Sequence, residues 1–220
     1  MNDPAFMTQT RSSTISTNKV LRNTYFLLGL TLLWSAVVAA VSMSLNLPMP
    51  GLIITLVGFY GLMYLTQKNR NSSLGLVFTF LFTGFVGYTL GPILNAYIGA
   101  GLGFAIIPAL GGTALTFMAC SAYALTTKRD LSFLGGILMA GCVVAVVCML
   151  ASFFLQMPVL YLTISGLFVL ISTGTILLGT QSIIRGGETN YISATLTLYI
   201  SIYNLFLSLL QIFGVLGSDD

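Results

Sequence analysis

TGTILLGTQSIIRGGETNYISATLTLYISIYNLFLSLLQIFG, residues 173–214, decides the fold. It joins two apolar runs, roughly 166–180 and 194–216, through a short polar linker that carries Arg185 and Glu188. A run of about 20 apolar residues is what an α-helix needs to cross about 30 Å of hydrocarbon. The second run holds Ser201 and Asn204 near its middle. Polar groups at that depth face other helices rather than lipid. The last helix is therefore expected inside a bundle formed by the helices before it.

The rest of the chain has the same character. Its 220 residues are 56% hydrophobic and only 6% charged. A soluble domain devotes about a quarter of its residues to charge, so most of this chain has no means of facing water. The apolar runs are continuous and do not alternate, which excludes a β-barrel. The reading is an all-α polytopic membrane protein whose principal surroundings are the lipid bilayer. A net charge of +3 carries no implication of nucleic acid, because the basic residues stand singly at helix ends. Cys120, Cys142 and Cys148 lie inside apolar runs and read as small buried hydrophobes. Their number and spacing fit neither a disulfide framework nor a metal cluster. The first 20 residues lack an apolar core, so no cleaved signal peptide is expected and the first run acts as an anchor.

Seven spans are predicted, at about 24–45, 51–66, 74–97, 104–126, 132–155, 159–180 and 194–216. They make one transmembrane domain over 19–217, with a flexible polar tail over 1–18 and a short tail over 218–220. Pro48 and Pro50 separate the first two helices, and Gly186–Gly187 is expected to end the sixth. Arg11, Lys19 and Arg22 precede helix 1. Lys68 and Arg70 follow helix 2, Lys128 and Arg129 follow helix 4, and Arg185 follows helix 6. The turns at 46–50, 99–103 and 156–158 carry no charge. Every basic residue thus falls on the side of the N-terminus, which the positive-inside rule makes cytoplasmic. Seven crossings place the C-terminus on the opposite face. An internal echo links LTQKNRNSSLG from Leu65 with LTTKRDLSFLG from Leu125. It reads either as parallel repeats or as two chance-alike helix ends.

Little in the chain suits catalysis. It has no histidine, the usual base for a Ser or Cys nucleophile and the commonest metal ligand. Asp3, Asp130, Glu188, Asp219 and Asp220 are all its acids, and none lies in a helix core. That argues against an enzyme, a coupled pump, a cofactor and a high-affinity metal site. A leak lined by carbonyls and hydroxyls stays open. Gly84, Gly87 and Gly91 suit close helix approach, as do Gly99 and Gly103 in the next turn. Gly91–Pro92 reads as packing or as a moving element, since Pro92 frees a carbonyl. Asn95 and Asn204 read as hydrogen-bonding glue or as gating groups. Trp34, mid-helix, reads as a packing residue.

GYTLGPIL (87–94) and GTQSIIRGGETNYISATLTLYISIYNLFLSLLQIFG (from Gly179) resemble the bacterial branch of the Bax-inhibitor transmembrane family. KVLRNTYFLL, GLMYLT, GGTAL, SFLGG and GGETNYI extend the likeness over nearly the whole chain. The resemblance implies seven helices with helix 7 central among the other six, in the bacterial inner membrane, with the N-terminus cytoplasmic and the C-terminus periplasmic. It implies a non-enzymatic partner of the membrane AAA protease FtsH, a negative modulator engaged through its N-terminal tail. It also implies an alternative, a calcium or other cation leak. Leak members carry two aspartates that share protons. The first lies in a motif like LYDTQ, here LLGTQ, so the position is Gly179; the second lies in a motif like LYLDIINLF, here LYISIYNLF, so the position is Ser201. Glycine and serine cannot form that couple.

Overall fold

The computed structural model describes residues 4–155 and 157–217; the side chains of 4–17, 153 and 158 also lie outside the description. Of the expected tails, 1–3 and 218–220 lie outside the described residues, whereas 4–18, expected as a flexible tail, is a correction: its backbone is the first part of α1. Among the described residues there are seven α-helices and no strand. They are α1 (Pro4–Ser44), α2 (Leu52–Lys68), α3 (Ser73–Gly99), α4 (Ile106–Thr126), α5 (Phe133–Leu155), α6 (Pro158–Ile184) and α7 (Tyr191–Leu216). A 3-10 turn, Gly103–Ala105, opens α4.

Six of the seven helices are long and apolar enough to cross a membrane; in α1 the span is Asn18–Ser44. The exception is α2, with 17 residues. At 1.5 Å per residue it covers about 25 Å, short of the usual hydrocarbon thickness. Pro50–Gly51 limits it on one side and Gln67–Lys68–Asn69 on the other. Large apolar side chains cover the outside, among them Phe154, Ile107 and Ile53. The inside is rich in hydroxyls: Thr31, Thr66, Thr79, Thr89 and Thr113 are buried. Each donates to a carbonyl three or four residues back in its own helix. A buried hydroxyl satisfied by its own helix can face a neighbour closely without needing water.

Three helices end in the same device. Asn46 after α1, Gly101 after α3 and Gly186 after α6 have φ of 47°, 78° and 74°. In each, the next amide reaches back five residues: Leu47 to Ser42, Leu102 to Tyr97 and Gly187 to Ser182. This is the left-handed helix stop that glycine favours and asparagine tolerates. It bears out the expected role of Gly186 and adds Asn46, which the neighbouring prolines overshadow in the sequence.

The linker expected over 181–193 is a correction: only 185–190 is irregular, because α6 runs on to Ile184 and α7 starts at Tyr191. Gln181 and Ser193 look like linker by polarity, but they are buried helical residues.

The chain divides into two compact units, Met1–Gly91 with Gln181–Thr197, and Pro92–Thr180 with Leu198–Asp220. In the first, α1 and α3 run parallel in close contact. The Trp34 indole Nε1 donates to the Phe80 carbonyl at 3.0 Å. A Cβ on Gly84 would meet that indole, one on Gly87 the Ser35 backbone, and one on Gly91 the Ser42 side chain. The glycine stripe and one edge of the otherwise exposed Trp34 thus lie in the α1–α3 contact. The α2–α3 hairpin is closed by Phe59 edge-on to Phe82 at 5.1 Å, and by Tyr88 donating to the Pro48 carbonyl at 2.8 Å. In the second unit, Gly141 of α5 faces Ile171 of α6, Gly112 of α4 faces Leu209 of α7, and Gly214 of α7 faces Tyr97. Gly99 does not serve close approach, since nothing lies within 4 Å of where its Cβ would be. It is the last residue of α3. The span of α7 is half buried, the largest share of the six, and that of α5 only 6%. Hence α5 is the most exposed of the six. The two echoing stretches close α2 and α4, one in each unit, with different capping bonds. Asn69 Nδ2 donates to Leu65 O in the first; Ser132 N donates to Asp130 Oδ1 in the second.

Candidate functional site

Two polar assemblies stand out, one in each unit. The first joins the α6–α7 loop to the α2–α3 loop. Asn190 caps α7: its Oδ1 accepts from the amides of Ile192 at 2.9 Å and Ser193 at 3.1 Å. An asparagine at the cap satisfies amides that have no partner inside the helix. Its Nδ2 donates to the Arg70 carbonyl at 2.9 Å and Asn71 Oδ1 at 2.7 Å. One side chain therefore starts a helix and ties it to another loop. Ser193 extends the tie, donating to Gln67 Oε1 at 2.8 Å and accepting from the Arg70 guanidinium at 3.4 Å. Glu188 accepts from the Asn190 amide at 2.8 Å. One turn deeper, Thr195 Oγ1 donates to the Thr24 carbonyl at 3.2 Å, joining α7 to α1. Sequence reading missed Asn190. The available signal was an asparagine directly before an apolar periodic run, the usual opening of a helix.

The second assembly is a seam of hydroxyls and amides in the other unit. On α7, Ser201, Asn204, Ser208 and Gln211 follow steps of three and four residues, so they share a face. Ser201 and Ser208 are buried. On α6, Ser165 and Ser172 are buried one heptad apart. Ser165 Oγ lies 2.8 Å from Gln211 Oε1 and 3.0 Å from the Tyr161 carbonyl, so its one proton is shared between two acceptors. Seven residues along each antiparallel helix from the Ser165–Gln211 bond bring Ser172 level with Asn204.

The sequence-predicted residues distribute as follows. Ser201 and Asn204 lie together on the α7 seam, and Gly179 lies half-buried on α6 in the same unit. Asn95 is half-buried on the last turns of α3, also in that unit. Gly91 belongs to the first unit, against Ser42. Pro92 sits inside an unbroken α3. The carbonyl that Pro92 frees is that of Tyr88, and Ser42 Oγ donates to it at 3.0 Å. At Gly91–Pro92 the packing reading therefore has a specific contact behind it.

The chemistry open to these assemblies is narrow. The seam contributes hydroxyl and amide oxygens with no carboxylate, and Gly179 and Ser201 stand where a shared-proton pair would need two. Among the described residues no group of three or more His, Cys, Asp or Glu could hold a metal ion. Such a seam suits helix association through hydrogen bonds better than proton transfer.

The comparisons with known proteins agree in kind. A family model described as inhibitor of apoptosis-promoting Bax1 matches residues 17–218. The modulator of FtsH protease YccA, from Escherichia coli K12, is 61% identical over 209 residues, covering 95% of each chain. A protein named inner membrane protein YccA, from E. coli O6:H1, is equally similar. An uncharacterized membrane protein of Vibrio cholerae is 44% identical over 223 residues, with all of both chains covered.

Proposed function

The chain belongs to the family of the inhibitor of apoptosis-promoting Bax1, and on that premise we propose that it is a multi-pass inner-membrane protein that binds and modulates the protease FtsH without being an enzyme. The observation that carries this reading is the 61% identity, over 95% of both chains, to a protein named as a modulator of FtsH. Identity of that extent supports a shared role. The lack of histidine and of any carboxylate in the polar seam supports a role through binding rather than chemistry. The N-terminal tail, 1–18, is the segment proposed to engage the protease from the cytoplasmic side.

The test is co-purification of FtsH from native membranes with the full chain and with a chain lacking residues 2–18. Turnover of an FtsH substrate is measured in parallel. FtsH is expected with the full chain, with slowed turnover, and both effects are expected to fall on deletion. Retention of both without the tail would refute the tail's role; no FtsH with either chain would refute the function.

A second reading, a cation leak, draws support from the Ser165–Gln211 seam, where a buried hydroxyl meets a half-buried amide oxygen between apolar helices. The missing carboxylates at Gly179 and Ser201 remove its usual pH gate. Calcium flux into liposomes carrying the purified chain tests it, and flux no greater than in empty vesicles between about pH 6 and 8 ends it.

A further inference from the structure

We propose that the loop end of the first unit is a binding site for the phosphates of anionic phospholipid headgroups. Five exposed cations gather there: Lys19 and Arg22 on α1, Lys68 and Arg70 around the α2–α3 loop, and Arg185 after α6. The only acid among the described side chains of that unit is Glu188, whose carboxylate accepts from the Asn190 amide.

Three separate segments are needed to assemble this charge, and the bonds that hold them are specific. Asn190 ties the α6–α7 loop to Arg70 and Asn71. Ser193 ties the start of α7 to Gln67 and Arg70. Thr195 ties α7 to Thr24. Each of the five cations lies within about five residues of one of these anchors, so the charge is concentrated rather than spread along the chain.

Depth favours lipid over a protein partner. Lys19 and Arg22 lie in the first turns of the span Asn18–Ser44, Lys68 ends α2, Arg70 precedes Ser73–Gly99, and Arg185 directly follows Val159–Ile184. Lys68, Arg70 and Arg185 are within about a turn of a helix end, and Lys19 and Arg22 within about a turn of the polar end of the span Asn18–Ser44, the level at which headgroup phosphates lie and long basic side chains reach. Guanidinium and ammonium groups at that level make charge-assisted hydrogen bonds to phosphate oxygens. Lys128 and Arg129 in the other unit do not repeat the pattern, being followed at once by Asp130.

The test uses the full chain, purified and delipidated, titrated with phosphatidylglycerol, cardiolipin, phosphatidylcholine or inorganic phosphate, with bound lipid counted by native mass spectrometry. The two anionic lipids are expected to bind at least about tenfold more tightly than phosphatidylcholine, and inorganic phosphate weakly. The variant K19Q/R22Q/K68Q should lose about tenfold or more for the anionic lipids, while K128Q/R129Q leaves them unchanged. The comparison of headgroups on the unaltered chain stands even if the triple variant folds poorly. Equal binding of phosphatidylcholine overturns the proposal, as does inorganic phosphate binding as tightly as the lipids. So does a folded triple variant that keeps its lipids but loses a protein partner, which would assign the rim to that partner.

Discussion

Pro92 has no amide hydrogen to give, so the carbonyl of Tyr88, one turn back, loses its helical partner. In hydrocarbon an orphaned carbonyl has no water to turn to. Ser42, on the neighbouring α1, fills the vacancy with a 3.0 Å bond and is itself buried. Gly91 makes this possible, because a Cβ there would lie 2.5 Å from the Ser42 Cβ and Oγ. Serine, glycine and proline thus work as one device. Ser42→Ala is expected to destabilise the protein by about 1–2 kcal/mol, more than a typical interhelical bond in a membrane, because it leaves an acceptor unpaired. In a Pro92→Ala background the backbone amide returns, and the same Ser42→Ala change should cost clearly less. Unfolding in detergent, followed through Trp34 fluorescence, gives the four stabilities of this double-mutant cycle. Equal costs in both backgrounds would show that Ser42 does not answer to Pro92.

At the scale of elements, the helix bounds were legible wherever hydropathy and punctuation agree. Gly186 marks the stop of α6 by its residue type alone, and the Gly84–Gly87–Gly91 stripe announces a close face on α3. The α6–α7 connection was misjudged because polarity was equated with loop. Gln181 and Ser193 are polar and also buried in helices, which a hydropathy window cannot distinguish. The α7 seam was legible only by half. Ser201 and Asn204 are conspicuous within an apolar run, whereas the partner of Gln211 is Ser165, 46 residues away, and no local pattern indicates it. Asn190 allows the loop's two jobs to be separated. Asn190→Ala removes both the cap and the tie, and should destabilise α7 by about 1–2 kcal/mol. Asn190→Asp keeps an acceptor at the helix start, where negative charge is favoured, and loses only the donors to Arg70 and Asn71. It should cost less than alanine yet still free the loop. Trypsin cleavage after Arg185 is the readout: faster in both variants than in the unaltered chain, with the larger loss of thermal stability confined to alanine. If cleavage is unchanged in both, the tie does not hold the loop.

For the whole molecule, the number of crossings turns on α2. Length alone counts against this helix, at 17 residues. Its ends argue the other way. The Pro48 carbonyl, just before α2, accepts from Tyr88 near the far end of the first unit's α3 segment. Gln67, in the last turn of α2, is bonded to Ser193 at the start of α7, beside the Asn190 tie to Arg70 and Asn71 just before α3. Between those points α2 runs antiparallel to α3, from one end of the unit to the other. A helix a few ångströms short spans by local thinning of the bilayer and by letting flanking residues reach outward, at a modest cost. Lys68, at its very end, is suited to that. If α2 crosses, the crossings number seven and the termini lie on opposite faces, with every basic loop on the side of the N-terminus. A reporter active only in the cytoplasm should then work when fused after residue 70 or 129 and fail when fused at the C-terminus. A periplasmic reporter should give the inverse pattern. Cytoplasmic activity at the C-terminus, with residue 70 also cytoplasmic, would mean that a later helix turns back within the membrane. Periplasmic activity at residue 70 would mean that α2 itself does not cross, and would separate Arg70 from the charges that the bonds of the first unit bring around it.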